Sequence, residues 1–421
     1  MSQKLLFIIG AVLALTLLLA ACAGPEGEQG PAGPQGQAGP EGPQGPAGAA
    51  GPAGEAAPAG SMAAAYAGDQ VCAGCHKEIY DVYIKSGHPW IMNKVVDGTA
   101  PDYPFTGISS VPSGYSWDDI SYVIGGYEWR ALFVDQEGYI ITDAPGASGN
   151  AEYLNQWNFA NVRLDLNADW VAYHGGEDNL MMDCGECHTT GYSPNGNQDG
   201  LEGLVGTWQQ EGVRCEACHG PGGNHMSNPQ GIPMQIDRDA ELCGKCHVNE
   251  TVEIVDAADG FIESNEQYGE MFQSKHIIMD CVICHDAHSG VAQHAAAEEP
   301  TTRTTCENCH FRQAQYQNND THQRMGLACV TCHMPYITKT AWGVPEKFSA
   351  DTRTHLFAIN PSQIGQFSED GTAALSEIGL NYACRQCHYS GFASVKTDEE
   401  LLQAAASYHD QPEEAAEQPA P

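Results

Sequence analysis

The sequence predicts a body of mainly short α-helices and loops wrapped around stacked prosthetic groups, with a small β-hairpin insert at about 120–142. Three observations carry this. Sixteen of the 17 cysteines fall into eight Cys-x-x-Cys-His units. The stretches between them are rich in Gly, Asn, Asp and Pro, which break regular elements early. An apolar fraction of 42% with only 8% aromatic residues suits a chain whose core is supplied largely by something other than side chains.

In chain order, the first element is a targeting segment at 1–21. Lys4 is followed by an apolar run and then by Leu19-Ala20-Ala21-Cys22, the pattern of a signal peptide rather than a membrane span. The Leu-Ala-Ala-Cys ending resembles a bacterial lipoprotein box, which implies cleavage before Cys22 and its lipidation. The expected product is exported and lipid-anchored to the membrane, at the cell surface or the periplasmic face. Residues 22–60 join the anchored Cys22 to a collagen-like stalk in which eleven glycines, Gly24 to Gly54, recur at every third position. Only Gly fits the axis of three wound chains. The segment is therefore a trimeric rod or a solvated polyproline-like tether that reaches about 100 Å at ~3.1 Å per residue.

Residues 66–395 form the body. Within its insert at 100–175, Tyr127 to Val134 and Tyr139 to Thr142 flank Asp135-Gln136-Glu137-Gly138, so aromatic and β-branched runs around a glycine turn predict the hairpin. Helices are expected at 77–85, 312–323 and 397–408. Residues 396–421 are acidic and Ala-rich and read as a disordered tail. The formal net charge is −36, which excludes a nucleic-acid partner, since such a surface repels phosphate.

The eight units pair Cys72 with Cys75, Cys184 with Cys187, Cys215 with Cys218, Cys243 with Cys246, Cys281 with Cys284, Cys306 with Cys309, Cys329 with Cys332 and Cys384 with Cys387. The histidines that follow are His76, His188, His219, His247, His285, His310, His333 and His388. This spacing attaches c-type haem. Two thiols three positions apart on a turn reach the two vinyl groups of one porphyrin, and the next residue falls beneath the iron as proximal ligand. Zinc also uses paired cysteines but does not require His after every second one. The fold class is that of a multihaem cytochrome c with eight covalently attached haems. Six of the motifs crowd between Cys184 and His333, so neighbouring haems must lie close enough to pass electrons.

Nine histidines remain for eight distal positions. His88, His174, His225, His276, His288, His322 and His355 lie near or between motifs and are read as distal ligands. His294, in an Ala-rich stretch, is a further candidate, and His409 in the tail reads as a solvated residue. Nearly full closure by imidazole describes electron transfer, whereas an open iron would bind and activate a small molecule. Arg130, Arg214 and Arg385 are candidates to pair with haem propionates.

Two segments resemble known families. Gly212-Val213-Arg214-Cys215-Glu216-Ala217-Cys218-His219-Gly220-Pro221-Gly222, followed by His225, is similar to multihaem cytochromes related to the ammonia-oxidiser tetrahaem cytochrome and hydroxylamine oxidoreductase. Cys329-Val330-Thr331-Cys332-His333-Met334-Pro335 and Arg353-Thr354-His355-Leu356-Phe357 resemble the C-terminal haem region of pentahaem nitrite reductases and octahaem reductases. The resemblance implies distal roles for His288 and His355. It departs from nitrite reductase in that all eight units end in His, where that family has a lysine. Tyr382 and Tyr389 flank the last motif, but neither is assigned the haem cross-link of hydroxylamine oxidoreductase.

The expected function is an octahaem c-type electron carrier between a redox protein or membrane donor and an external acceptor, with no catalytic residue assigned. One alternative is an octahaem oxidoreductase acting on nitrite, hydroxylamine or a sulfur oxyanion. Another is a subunit of a conductive cytochrome filament, assembled through haem contacts.

Overall fold

Two antiparallel-rich sheets hold the side-chain cores, and the motif-bearing stretches run beside them as single helical turns. The computed structural model describes residues 65–249, 251–315, 320–389 and 394–410. The expected signal peptide, the lipidated Cys22 and the Gly-X-Y stalk lie outside the described residues. The described residues belong to one unit.

The first sheet consists of β1 (Met92–Lys94), β2 (Ile120–Gly125), β3 (Arg130–Asp135), β4 (Leu154–Asn158) and β5 (Asp169–Ala172), paired antiparallel in that order. The hairpin insert expected at 120–142 is thus the middle of a five-stranded sheet. The turn at 135–138 forms, with Gly138 N–H donating to Asp135 O and Val134 bridging Ile140. The main partner of β3 is nevertheless β2. The outer strands escaped prediction because they are polar: Asn155, Gln156 and Asn158 are nonetheless buried. Asn155 is made tolerable there by donating to Ile141 O and Tyr173 O at 2.6 and 2.7 Å, as buried amides require.

A two-stranded ladder pairs β6 (Thr189–Thr190) with β7 (Gln210–Glu211). The second sheet has the order β11-β10-β9-β8-β12, from β8 (Val255–Ala258), β9 (Phe261–Glu263), β10 (Thr338–Val344), β11 (Ser349–Thr352) and β12 (Ala373–Ala374). Its β9–β10 pair is parallel. Between the two sheets, Asn158 donates to Ala341 O and the Trp342 indole to Phe159 O. Asp351, buried, accepts three backbone N–H groups from Thr340, Ala341 and Trp342 at 2.7–2.8 Å, which fixes the irregular register within β10.

Three buried apolar clusters are found among the described residues. Two line the first sheet, around Tyr122 and Leu204 and around Phe133 and Val123; the third lies around Phe261, Ile337 and Leu356. From the third to the sixth motif, the buried members of these clusters are Val255, Phe261 and Ile262 of β8 and β9, while Ile236, Ile278 and Ile283 are exposed. Helices form at Lys77–Tyr83, Phe311–Gln315, Asp320–Met325 and Asp398–Ala406. The last matches the helix expected at 397–408, within a tail otherwise read as disordered. No described helix is long and apolar enough to cross a membrane.

Candidate haem sites

Each motif takes a tight helical or 3-10 turn. In six of them the histidine N–H donates to the carbonyl of the first cysteine: His76, His188, His247, His285, His310 and His388 bond Cys72, Cys184, Cys243, Cys281, Cys306 and Cys384 at 2.8–3.1 Å. Motifs three and seven are the helices Cys215–His219 and Cys329–His333. One turn places positions i, i+3 and i+4 on a single face, so both thiols and the imidazole of each unit look the same way.

Across from these faces stand other histidines. The ring centroids of His76 and His225 are 6.4 Å apart, His88 and His247 6.3 Å, and His219 and His288 6.2 Å. His276 lies 5.8 Å from His310, His355 6.1 Å from His285, His322 6.0 Å from His388, and His409 6.0 Å from His333. Such pairs are too far apart for ring contact. An imidazole nitrogen binds a metal at about 2.0–2.1 Å, so two rings facing across one metal have centroids about 6 Å apart. The donor set and its spacing therefore fit a haem iron held between two imidazoles.

Backbone and side-chain acceptors fix which nitrogen faces the gap. Nδ1 of His219, His225, His333 and His388 lies 2.7–2.8 Å from the carbonyls of Gln235, Ile232, Phe357 and Ser394. His247 Nδ1 lies 3.1 Å from Gln267 Oε1, and His322 Nδ1 2.9 Å from the Tyr408 hydroxyl. A bond at Nδ1 leaves Nε2 for a metal. Burial, reinforced by His247, pushes the His88 pKa down to about 4; burial, then His355 and His247, does the same for His285. A neutral ring is the ligating form. His88 sits deep among protein atoms yet its ring surface is exposed, as expected of a side chain that lines an internal gap.

The second motif differs. His188 Nδ1 lies 3.3 Å from Ile91 O, and burial pushes its pKa down to about 4. Among the described residues no second imidazole ring pairs with it. Cys184 packs against the cluster of Met182 and Trp208, with Tyr173 and Leu180 beside it. The Arg130 charge acts on His188, Cys184 and Tyr173.

Two sequence candidates pair with no motif ring among the described residues. The His174 ring is half-exposed and bonded to Glu177 at 2.8 Å, and His294 lies between Ser289 Oγ and Glu299 at 2.7 and 3.1 Å. His409 does face a motif ring. The signal that could have found it is the capping box of Thr397 and Glu400, which starts a helix aimed at the seventh and eighth motifs. Arg214 pairs with the buried Asp69 at 3.1 Å, and Arg385 with Asn381 and Asp398. Both are thereby committed to protein partners.

The motifs are stitched to one another. The Glu216 carboxylate in the third accepts from Ala67 N and Gly68 N beside the first, both at 2.8 Å. Arg353 donates to Val330 O and Met334 O, at 2.9 and 2.7 Å, and lies over Tyr336, pinning the seventh. Thiols of different motifs act on one another: Cys72 with Cys215, Cys187 with Cys246, Cys243 with Cys281, Cys284 with Cys306, Cys306 with Cys329, and Cys332 with Cys384. Cys218 and Cys243 close the series. The motifs thus run in space as one, three, four, five, six, seven, eight, with the second joined at the fourth.

A family model described as cytochrome c554 and c-prime matches residues 165–220. The chain is 22% identical over 178 residues to the multiheme cytochrome MtrA of Shewanella baltica (strain OS185), an alignment covering 39% of this chain. It spans about half, 47%, of that curated relative's length. Among solved structures it is similar to the octaheme sulfite reductase MccA of Wolinella succinogenes, with TM-score 0.53, 16% identity, and coverage of 82% of this chain and 71% of that one. The outer cell wall cytochrome OcwA gives TM-score 0.49 and 17% identity over 80% and 86% of the two chains.

Proposed function

We propose that this multihaem c-type cytochrome carries eight haems and relays electrons outside the cytoplasm, between a redox partner and an external acceptor. The observation that carries it is the set of seven imidazole pairs at 5.8–6.4 Å. In each pair the motif histidine is the proximal ligand and its opposite the distal one, and the sixteen motif thiols hold the porphyrins. Bound haem supplies one-electron chemistry at iron. The polypeptide orients the rings through their Nδ1 partners, and burial favours the neutral form of His88 and His285. An N-terminal lipid on Cys22 and the Gly-X-Y stalk, alone or as a trimer, would hold the body away from the membrane. Intact mass of the mature protein tests the haem count: eight added haems are expected, and fewer would contradict it.

A second use rests on the second motif. With no imidazole paired to His188 among the described residues, its iron is the one position suited to bind a small molecule, which supports an oxidoreductase acting on nitrite, hydroxylamine or a sulfur oxyanion. Turnover of these compounds with a reduced or oxidised dye tests it: activity lost in Cys187→Ser is expected, and no turnover by the fully loaded protein would contradict it.

A further inference from the structure

One short helix serves two neighbouring haem positions with different chemistry. From Gln267–Phe272, Gln267 presents a neutral amide oxygen to Nδ1 of His247, the fourth motif's histidine. One turn on, Glu270 presents a carboxylate to His355, the ring opposite the fifth motif's His285. The Glu270 side chain is 1% exposed. Its Oε2 accepts the His355 backbone N–H at 2.5 Å and lies 3.7 Å from His355 Nδ1, while Oε1 accepts from the Thr338 hydroxyl at 3.2 Å. His355 Nδ1 is itself buried, with no hydrogen-bond partner. The other carboxylate close to a paired ring, Asp286 at 3.9 Å from His288, is 43% exposed and so screened by water.

We infer that Glu270 is a positioning residue that holds His355 through its backbone N–H, sets a buried carboxylate 3.7 Å from its Nδ1, and lowers the reduction potential of the fifth haem below that of its neighbour, the fourth. A buried negative charge beside a ligating imidazole raises ligand basicity and favours the oxidised, more positive iron. The amide of Gln267 carries no charge and leaves the fourth haem higher. Electrons crossing from four to five therefore meet a step set by two residues of one helix.

The role presupposes the ligation proposed above, so haem mass is measured on every sample. In full-length holoprotein, Glu270→Gln is expected to keep eight haems while one reduction wave moves to higher potential in spectroelectrochemical titration. One low-spin ferric resonance signal should move with it. Thr338→Val, which keeps the carboxylate, is expected to leave all waves in place. Unmoved waves in a fully loaded Glu270→Gln, or an equal shift in Thr338→Val, would overturn the inference. If Glu270→Gln does not load, the wild-type spectrum decides: at least one bis-imidazole signal must show a stronger axial ligand field than the rest, and a uniform set would overturn it. Fewer than eight haems in the wild type would instead count against the ligation scheme.

Discussion

His333 and His409 face each other at 6.0 Å, with His333 Nδ1 tied to Phe357 O. His409→Ala should therefore convert one low-spin haem to high-spin, raising the high-spin share by one haem in eight, whereas His174→Ala and His294→Ala should leave it unchanged. Electron resonance of the three variants checks this. All eight Cys-x-x-Cys-His units are legible in the sequence because covalent haem attachment would demand that one local spacing. The sequence could not rank the remaining histidines, since a distal ligand is defined by what folds opposite it: His409 lies 76 residues from His333, and His88 lies 159 from His247. Buried charge gives a second prediction at this scale. Burial, then Asp351, raises the Glu128 pKa to about 7 from 4.5. A raised carboxyl contributes stability in its protonated state, which is present below pH 4.5 and lost as pH rises through about 7. Glu128→Gln should thus be more stable than wild type at pH 8, by roughly 1–3 kcal/mol, and equal to it at pH 4.5. Urea midpoints at both pH values check it; a constant difference would contradict it.

At the scale of elements, the helix Asp398–Ala406 is held by the Thr397–Glu400 capping box, with bonds of 2.9 and 3.2 Å. Thr397→Ala should cost about 1 kcal/mol locally, seen as faster amide exchange over 398–406 and a looser ligand on the seventh haem. Exchange unchanged from wild type would contradict the assignment. The helix itself is legible in the sequence at 397–408, but its packing is not, because acidic, Ala-rich sequence lacks the apolar periodicity that marks a packed face, and only Leu401 is buried on it. The sheets were half legible for a similar reason. Aromatic and β-branched runs marked β3 and the stretch 139–142, but the main partner of β3 is β2, β4 buries Asn155, Gln156 and Asn158, and β8 and β12 are short and Ala-rich. Arg353 ties an element to a motif: Arg353→Ala removes both carbonyl bonds that pin Cys329–His333 and should selectively broaden one haem's reduction wave, while Arg163→Ala, which stacks on the same Tyr336, should not.

For the whole molecule, a net charge of −36 before propionates predicts that association with a basic redox partner is fast at low salt and slows steeply as ionic strength rises. Stopped-flow oxidation against salt checks it, and a flat profile would contradict it. The side-chain cores belong to the sheets, so a variant with all sixteen motif cysteines changed to Ala should keep exchange protection in β2 and β3 and lose it across 215–250 and 281–335. The most direct test of the central claim is spin quantitation by electron paramagnetic resonance on the full-length, fully loaded ferric protein. Seven low-spin, bis-imidazole haems and one distinct centre on the second motif are predicted; three or more high-spin centres would contradict the account.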